Sequence, residues 1–269
     1  MSIFKTYKLL LPLIICTLIT LGMAMYLLSI SSDLPDETEN DTPRETETEV
    51  TEMEIPVFTT DLSAYESYMD APSGSFLILV NKQNTIGTDD KPADLISVKD
   101  IHPDEIRDLS LDRTAEMALE AMFIEMRAAG FKNVFVTSAY RSYSKQSDLF
   151  EGYIVKEMNS GSLSREQAIE KVLRYSAYPG TSEHQTGLCV DLMTYRMSDL
   201  DESFADEPVY DWLLENAWKF GFILRFPEDK TDITGYDFEP WHYRFVGRYD
   251  AYMIHAQNLC LEEYIEQIN

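Results

Sequence analysis

Basic residues are scarce in this chain: 22 lysines and arginines stand against 47 aspartates and glutamates, for a formal charge of −25. Nucleic acid is thereby excluded as a partner, because phosphate binding needs basic surface. Attraction to an anionic membrane face through basic residues is excluded on the same ground. Cysteine is scarcer still. Of the three, Cys16 falls in a long apolar run, and Cys189 and Cys260 share no motif spacing, so a disulfide between them has thin support. No glycine-rich phosphate loop and no dinucleotide fingerprint occurs. There are four histidines; His102 precedes a proline in a loop and His255 sits in the last helix, and both read as structural. With 269 residues, 45% of them hydrophobic, the chain can bury one sizeable core without metal or disulfides. No obligate protein partner is inferred.

The amino-terminal part divides by composition. Residues 1–8 form a short tail containing Lys5 and Lys8. Residues 9–30 carry no charge, enough for a transmembrane helix of roughly 20 residues. Lysines before the run and acids after it place the amino terminus in the cytoplasm and the rest outside. The length of the run favours a retained membrane anchor; the competing expectation is a signal peptide cleaved near Ser29-Ile30-Ser31, leaving a secreted protein. Residues 31–70 are an acidic linker and lead-in. Up to about Ile55 the stretch is Asp, Glu, Thr and Pro, too poor in apolar groups to offset its ordering entropy. It reads as a solvated stalk.

Residues 71–269 hold the folded domain. Phe76 to Val80 is a wholly apolar run and predicts a buried strand. Apolar residues at helical spacing from Leu111 to Ala129 predict a helix stopped by Gly130. A strand follows over Asn133–Thr137, then a helix capped by Ser144. Ser164 to Gln167 is a capping box opening a helix to about Tyr175. Pro208 starts a helix ended by Gly221, Phe222 to Arg225 is a strand, Pro227 to Gly235 a polar loop, and Arg248 to Ile268 one closing helix.

The chemistry concentrates in two stretches. In the first, Ser182 to Leu192, residues Leu188, Val190 and Leu192 face a core, while Cys189, Asp191 and Met193 face the other way. His184 and Asp191 would point apart on a straight strand, and Gly187 is the place for a bend that lets them converge. Taken alone, the pair is better read as a surface histidine and an acid at a strand end. The second stretch alters that balance. Pro240 holds Glu239 extended, and Trp241 to Val246 is rich in strand formers, so His242 projects from a strand. Three ligands, His184, Asp191 and His242, suit one zinc ion and leave a position open for water. Glu239 is the carboxylate placed to take a proton from that water.

Ser182-x-His184-x-x-Gly187-x-x-x-Asp191, followed by Glu239-Pro240-Trp241-His242, resembles the VanY-type D-alanyl-D-alanine carboxypeptidases, zinc enzymes that trim peptidoglycan stem peptides, and their L,D-carboxypeptidase relatives. The resemblance runs from about Phe76 to Ile268. It implies an α+β fold of the lysostaphin, DD-peptidase and hedgehog group, with a small antiparallel sheet carrying the zinc ligands among surrounding helices. It also implies that Arg141 donates to the substrate carbonyl as negative charge builds, and that Gln146 and Ser182 hold the substrate's terminal carboxylate. One departure is Cys189, where the family more often has alanine. Its sulfur would lie near the metal; a small buried side chain beside the site is the better reading.

The expected function is zinc-dependent removal of the carboxy-terminal D-alanine from peptidoglycan stem peptides. Alternatives are L,D-carboxypeptidase action on tetrapeptide stems, an endopeptidase with a cleft open at both ends, and a non-catalytic wall-binding module. The intact set of His184, Asp191, His242 and Glu239 weighs against the last.

Overall fold

Phe58, Leu62 and Tyr65 lead into a single helical turn, α1 (Glu66–Met69), and Leu62 and Met69 are buried in the main core. The lead-in is therefore part of the packed unit, which spans Thr51–Asn269. The computed structural model describes residues 53, 55–105 and 108–269. The expected anchor at 9–30 and most of the acidic linker lie outside them. Among the described residues no helix is long and apolar enough to cross a membrane.

Two short strands, β1 (Leu95–Ser97) and β2 (Ser110–Asp112), pair antiparallel ahead of α2 (Arg113–Ala128). Asp112 caps α2 by accepting from the Thr114 amide, as an N-cap aspartate should. Then come β3 (Val134–Ser138), α3 (Tyr143–Gly161), α4 (Arg165–Tyr175) and β4 (Cys189–Thr194). The chain ends with α5 (Pro208–Asn216), β5 (Phe222–Leu224), the turn α6 (Thr231–Thr234), β6 (His242–Phe245), α7 (Arg248–Ala256) and α8 (Leu261–Ile268).

Strands β3, β4, β6 and β5, in that order, form one antiparallel sheet. The expected small antiparallel sheet with helices around it is present. One face is apolar: Val136, Val190, Leu192, Tyr243 and Phe245 pack with Ala115, Leu119, Met122 and Met126 of α2. Leu188, Val190 and Leu192 all lie in this core, as their alternation requires. The opposite face of β4 and β6 carries Cys189, Asp191, His242 and Arg244, because side chains alternate along a strand.

Several elements differ from expectation. Phe76 to Val80 forms no strand; the Phe76 and Ile78 carbonyls accept from the Arg244 guanidinium, both at 2.8 Å, and Ile78 is exposed. An apolar run reports burial, and here a side chain has taken the place of a neighbouring strand. Helix α3 is capped by Ser142, which accepts from the Lys145 amide, and not by Ser144. The closing helix is broken: α7 stops at Ala256, Asn258 takes a left-handed φ of 52°, and α8 restarts after Cys260. The loop after Pro227 contains a 3-10 turn and α6. Cys189 and Cys260 are both buried and free.

Candidate active site

Strand pairing does the first part of the assembly. Asp191 on β4 lies directly opposite His242 on β6, a position where side chains on one face meet. His184 arrives by a different route. It sits in a 3-10 turn, Glu183–Thr186, that ends at Gly187 with φ of 67°. This left-handed conformation favours glycine, and a side chain at Gly187 would also crowd Leu95 and Pro92 at 3.0 Å. This bend folds the turn back over β4. His184 Nε2 comes to 3.2 Å from Asp191 Oδ2, and His242 Nδ1 to 3.1 Å from Asp191 Oδ1.

The remaining ring nitrogens are held from outside. His184 Nδ1 lies 2.7 Å from the Ala139 carbonyl; a carbonyl only accepts, so Nδ1 carries the hydrogen and Nε2 is left to face Asp191. A metal-binding imidazole is ordinarily fixed in this way. His242 Nε2 points away from Asp191, 3.8 Å from Glu183 Oε2.

Two imidazole nitrogens and one carboxylate fit a zinc ion. Around a tetrahedral zinc with bonds of ~2.0–2.1 Å, donors stand about 3.4 Å apart, close to the spacings seen. Asp191 Oδ1 is buried with no hydrogen-bond partner, and buried polar atoms seldom go unsatisfied without a reason. The electrostatics agree. Burial opposes charge on both imidazoles, yet their anionic neighbours, Cys189 first, raise His184 to about 9 and His242 well above its ordinary value. Burial pushes Asp191 up, but the two imidazoles outweigh it and hold the carboxyl well below the usual range.

Glu239, Arg141 and Ser182 line the same cleft of about 340 Å³ as the three ligands. Glu239 Oε2 is 3.5 Å from His242 Nδ1. Burial raises its carboxyl to about 7, with the pull of His242 and the push of Asp191 partly cancelling. Arg141 follows β3, its amide donating to the His184 carbonyl at 3.0 Å, and its Nε is buried without a partner. Gln146 is not among the lining side chains. Its Nε2 donates to the Ala177 carbonyl at 2.6 Å, which places it behind the wall formed by Ser176 and Ala177.

The model of the family described as "VanY: D-alanyl-D-alanine carboxypeptidase" matches residues 108–248. A putative carboxypeptidase of Bacillus subtilis, YodJ, is 37% identical over 197 residues, covering 72% of this chain and 68% of that protein. The chain belongs to the VanY family. A D-alanyl-D-alanine carboxypeptidase of Enterococcus faecalis is 41% identical over 193 residues, 70% of this chain and 65% of that one. The chain thus spans about two thirds of the length of each of these relatives. Among solved structures, VanYB in complex with D-alanine-D-alanine superposes with a TM-score of 0.60 at 37% identity, over 71% of this chain and 97% of that one. The LdcB LD-carboxypeptidase gives 0.62 at 35% identity, over 70% and 84%. The class expected from the motifs, a metallo-carboxypeptidase with zinc as its cofactor, stands with this membership.

This VanY-family site has a second tier that the sequence reading missed. Glu183 is buried beside His184, and its Oε1 accepts from Arg225 Nε and from an Arg244 terminal nitrogen, each at 2.8 Å. Both arginines are wholly buried. Arg225 also forms a two-pronged bond with Glu262 of α8, at 2.8 and 2.6 Å. Burial works against the Glu183 charge, but the two guanidiniums outweigh it and hold the carboxyl well below the usual range. Its other oxygen is thus anionic and faces His242 Nε2. One signal was available: on a strand, Arg244 shares the face of His242, two residues away. Cys189 also adjoins the site. The two imidazoles outweigh burial and lower its thiol to about 7.

Proposed function

We propose that this protein removes the carboxy-terminal D-alanine from peptidoglycan stem peptides. The observation that supports this reading best is the convergence of His184, Asp191 and His242 with Glu239 and Arg141 in one cleft. His184 Nε2, an Asp191 oxygen and His242 Nδ1 would hold the zinc. When bound, zinc supplies Lewis acidity, making water nucleophilic near neutral pH and polarising the carbonyl to be cleaved.

The chain's own groups divide the remaining work. Glu239 takes the proton of the attacking water and passes it to the leaving amine; a carboxyl raised to about 7 is matched to both tasks near neutrality. Arg141, a fixed cation in the cleft wall, stabilises the oxyanion as the carbonyl becomes tetrahedral. Ser182 faces the cleft, where it meets the free carboxylate of the terminal residue. Gln146 acts on that carboxylate from behind, its amide donating to the Ser176 hydroxyl and the Ala177 carbonyl and so setting this wall of the cleft against it.

The apolar run at 9–30 anchors the protein with its amino terminus inside and the domain outside, where its substrate lies. A second reading, removal of D-alanine from tetrapeptide stems, draws support from the likeness to the LdcB LD-carboxypeptidase. One experiment tests both. The zinc-loaded protein is incubated with defined penta- and tetrapeptide stems, and the products are weighed by mass spectrometry. Loss of one alanine from the pentapeptide is the expected result; loss from the tetrapeptide alone would install the second reading, and loss from neither would sink both.

A further inference from the structure

Cys189 stands two residues before Asp191 on β4 and faces the same side of the sheet, with Arg244 as its partner across β6. It is fully buried and in no disulfide. Its Sγ and one ring nitrogen from each of His184 and His242 all lie within 4.8 Å of one another. Nitrogen and sulfur donors on one tetrahedral ion of this size, with bonds of ~2.0–2.3 Å, stand about 3.4–3.6 Å apart. An inward shift of no more than about 1.4 Å therefore brings the three atoms to ligating spacing. The Asp191 carboxylate spans the same two imidazoles, its Oδ2 3.2 Å from His184 Nε2 and its Oδ1 3.1 Å from His242 Nδ1.

We propose that Cys189 gives this centre a second set of ligands, His184–Cys189–His242, through which it captures soft, thiophilic cations. The inference rests on His184 and His242 supplying the metal's nitrogens, as above. The two imidazoles serve either set, and the third donor decides the preference. Carboxylate oxygen suits harder ions, whereas thiolate sulfur selects softer ones such as Cd²⁺. On binding, the Cys189 thiol releases its proton to solvent, and a sulfur lone pair forms the bond to the cation. An alanine at this position would leave the centre with Asp191 alone as third donor.

The test titrates Cd²⁺ into the metal-free, full-length protein and records thiolate-to-metal charge transfer in the near ultraviolet. A C16A/C260A variant keeps Cys189 as its one thiol and is expected to show the band at one Cd²⁺ per chain. Adding Cys189→Ala should abolish the band and weaken Cd²⁺ binding at least about tenfold, the lower end for losing a group that merely supports a ligand. Cys189→Ser, which keeps size and polarity, should behave as the alanine variant does. A band that persists without Cys189, no band with it, or equal Cd²⁺ affinity in the serine variant overturns the proposal. D-alanine release by the zinc-loaded protein from the same preparation reports separately. Activity without the band removes only the thiol ligand, whereas absence of both zinc uptake and activity removes the carboxypeptidase reading and this proposal together.

Discussion

The two faces of the four-stranded sheet solve the problem of burial in opposite ways, and a glutamate on each side makes the contrast plain. Glu116 projects from α2, the helix that covers the apolar face. One of its oxygens accepts from the Lys99 amide at 3.1 Å, and the other is buried with no partner. Burial pushes its carboxyl up to about 8. Glu183, on the side of the metal ligands, is as deeply buried yet lies well below the usual range, because two guanidiniums face it. The lesson concerns charge accounting. Where the fold needs a fixed anion beside a metal ligand it brings two buried arginines, and where it does not the carboxyl keeps its proton.

Four substitutions would break or sharpen that contrast. The largest effect belongs to the cleft: Glu239→Gln should lower kcat by ~10²–10⁴-fold, the usual share of a general base, with an unchanged or higher melting temperature. A large loss of stability instead would make Glu239 a structural residue. On the apolar face, Phe245→Ala should cost about 3–5 kcal/mol, read as a shift of the urea midpoint. A smaller loss there would mean that the core collapses around the hole.

The two glutamates themselves come next. Glu116 has a folded-state pKa of about 8 against an ordinary 4.5. Between those values the folded state holds a proton that the unfolded state has lost, so stability falls as pH rises. Glu116→Gln removes this dependence. It should leave stability nearly unchanged at pH ~4 and raise it by a few kcal/mol above pH ~8, at ~1.4 kcal/mol per pK unit. Equal melting curves for both proteins across that range would contradict the assignment. Glu183→Gln is the smallest: it removes the anion facing His242 Nε2 and should weaken zinc binding by ~10–100-fold, measured by competition with a chelating dye.

Much of the site was legible because its parts lie in short, ordered stretches. Alternation along β4 separated Leu188, Val190 and Leu192 from Cys189 and Asp191, and Gly187 marked the bend that carries His184 back. Composition and Pro240 placed His242 on a strand. The second tier was not legible, since Glu183 meets Arg225 and Arg244 across 42 and 61 positions, and no local pattern announces such a pairing. The fold was misread where a side chain replaced a backbone partner, as Arg244 does at Phe76 and Ile78. The break at Asn258 was missed for a related reason, because apolar spacing continues across it while the backbone does not. Gln146 lies on the expected helix, but its amide is turned toward Ala177.

The two-pronged bond between Arg225 and Glu262 means that the carboxyl end of this chain is not a free handle. Glu262 lies in the first turn of the last helix, and it steadies an arginine whose other bond goes to the glutamate beside His242. A tag, a fusion or a proteolytic cut that frays α8 would loosen the histidine's mooring from behind, without touching a single group in the cleft.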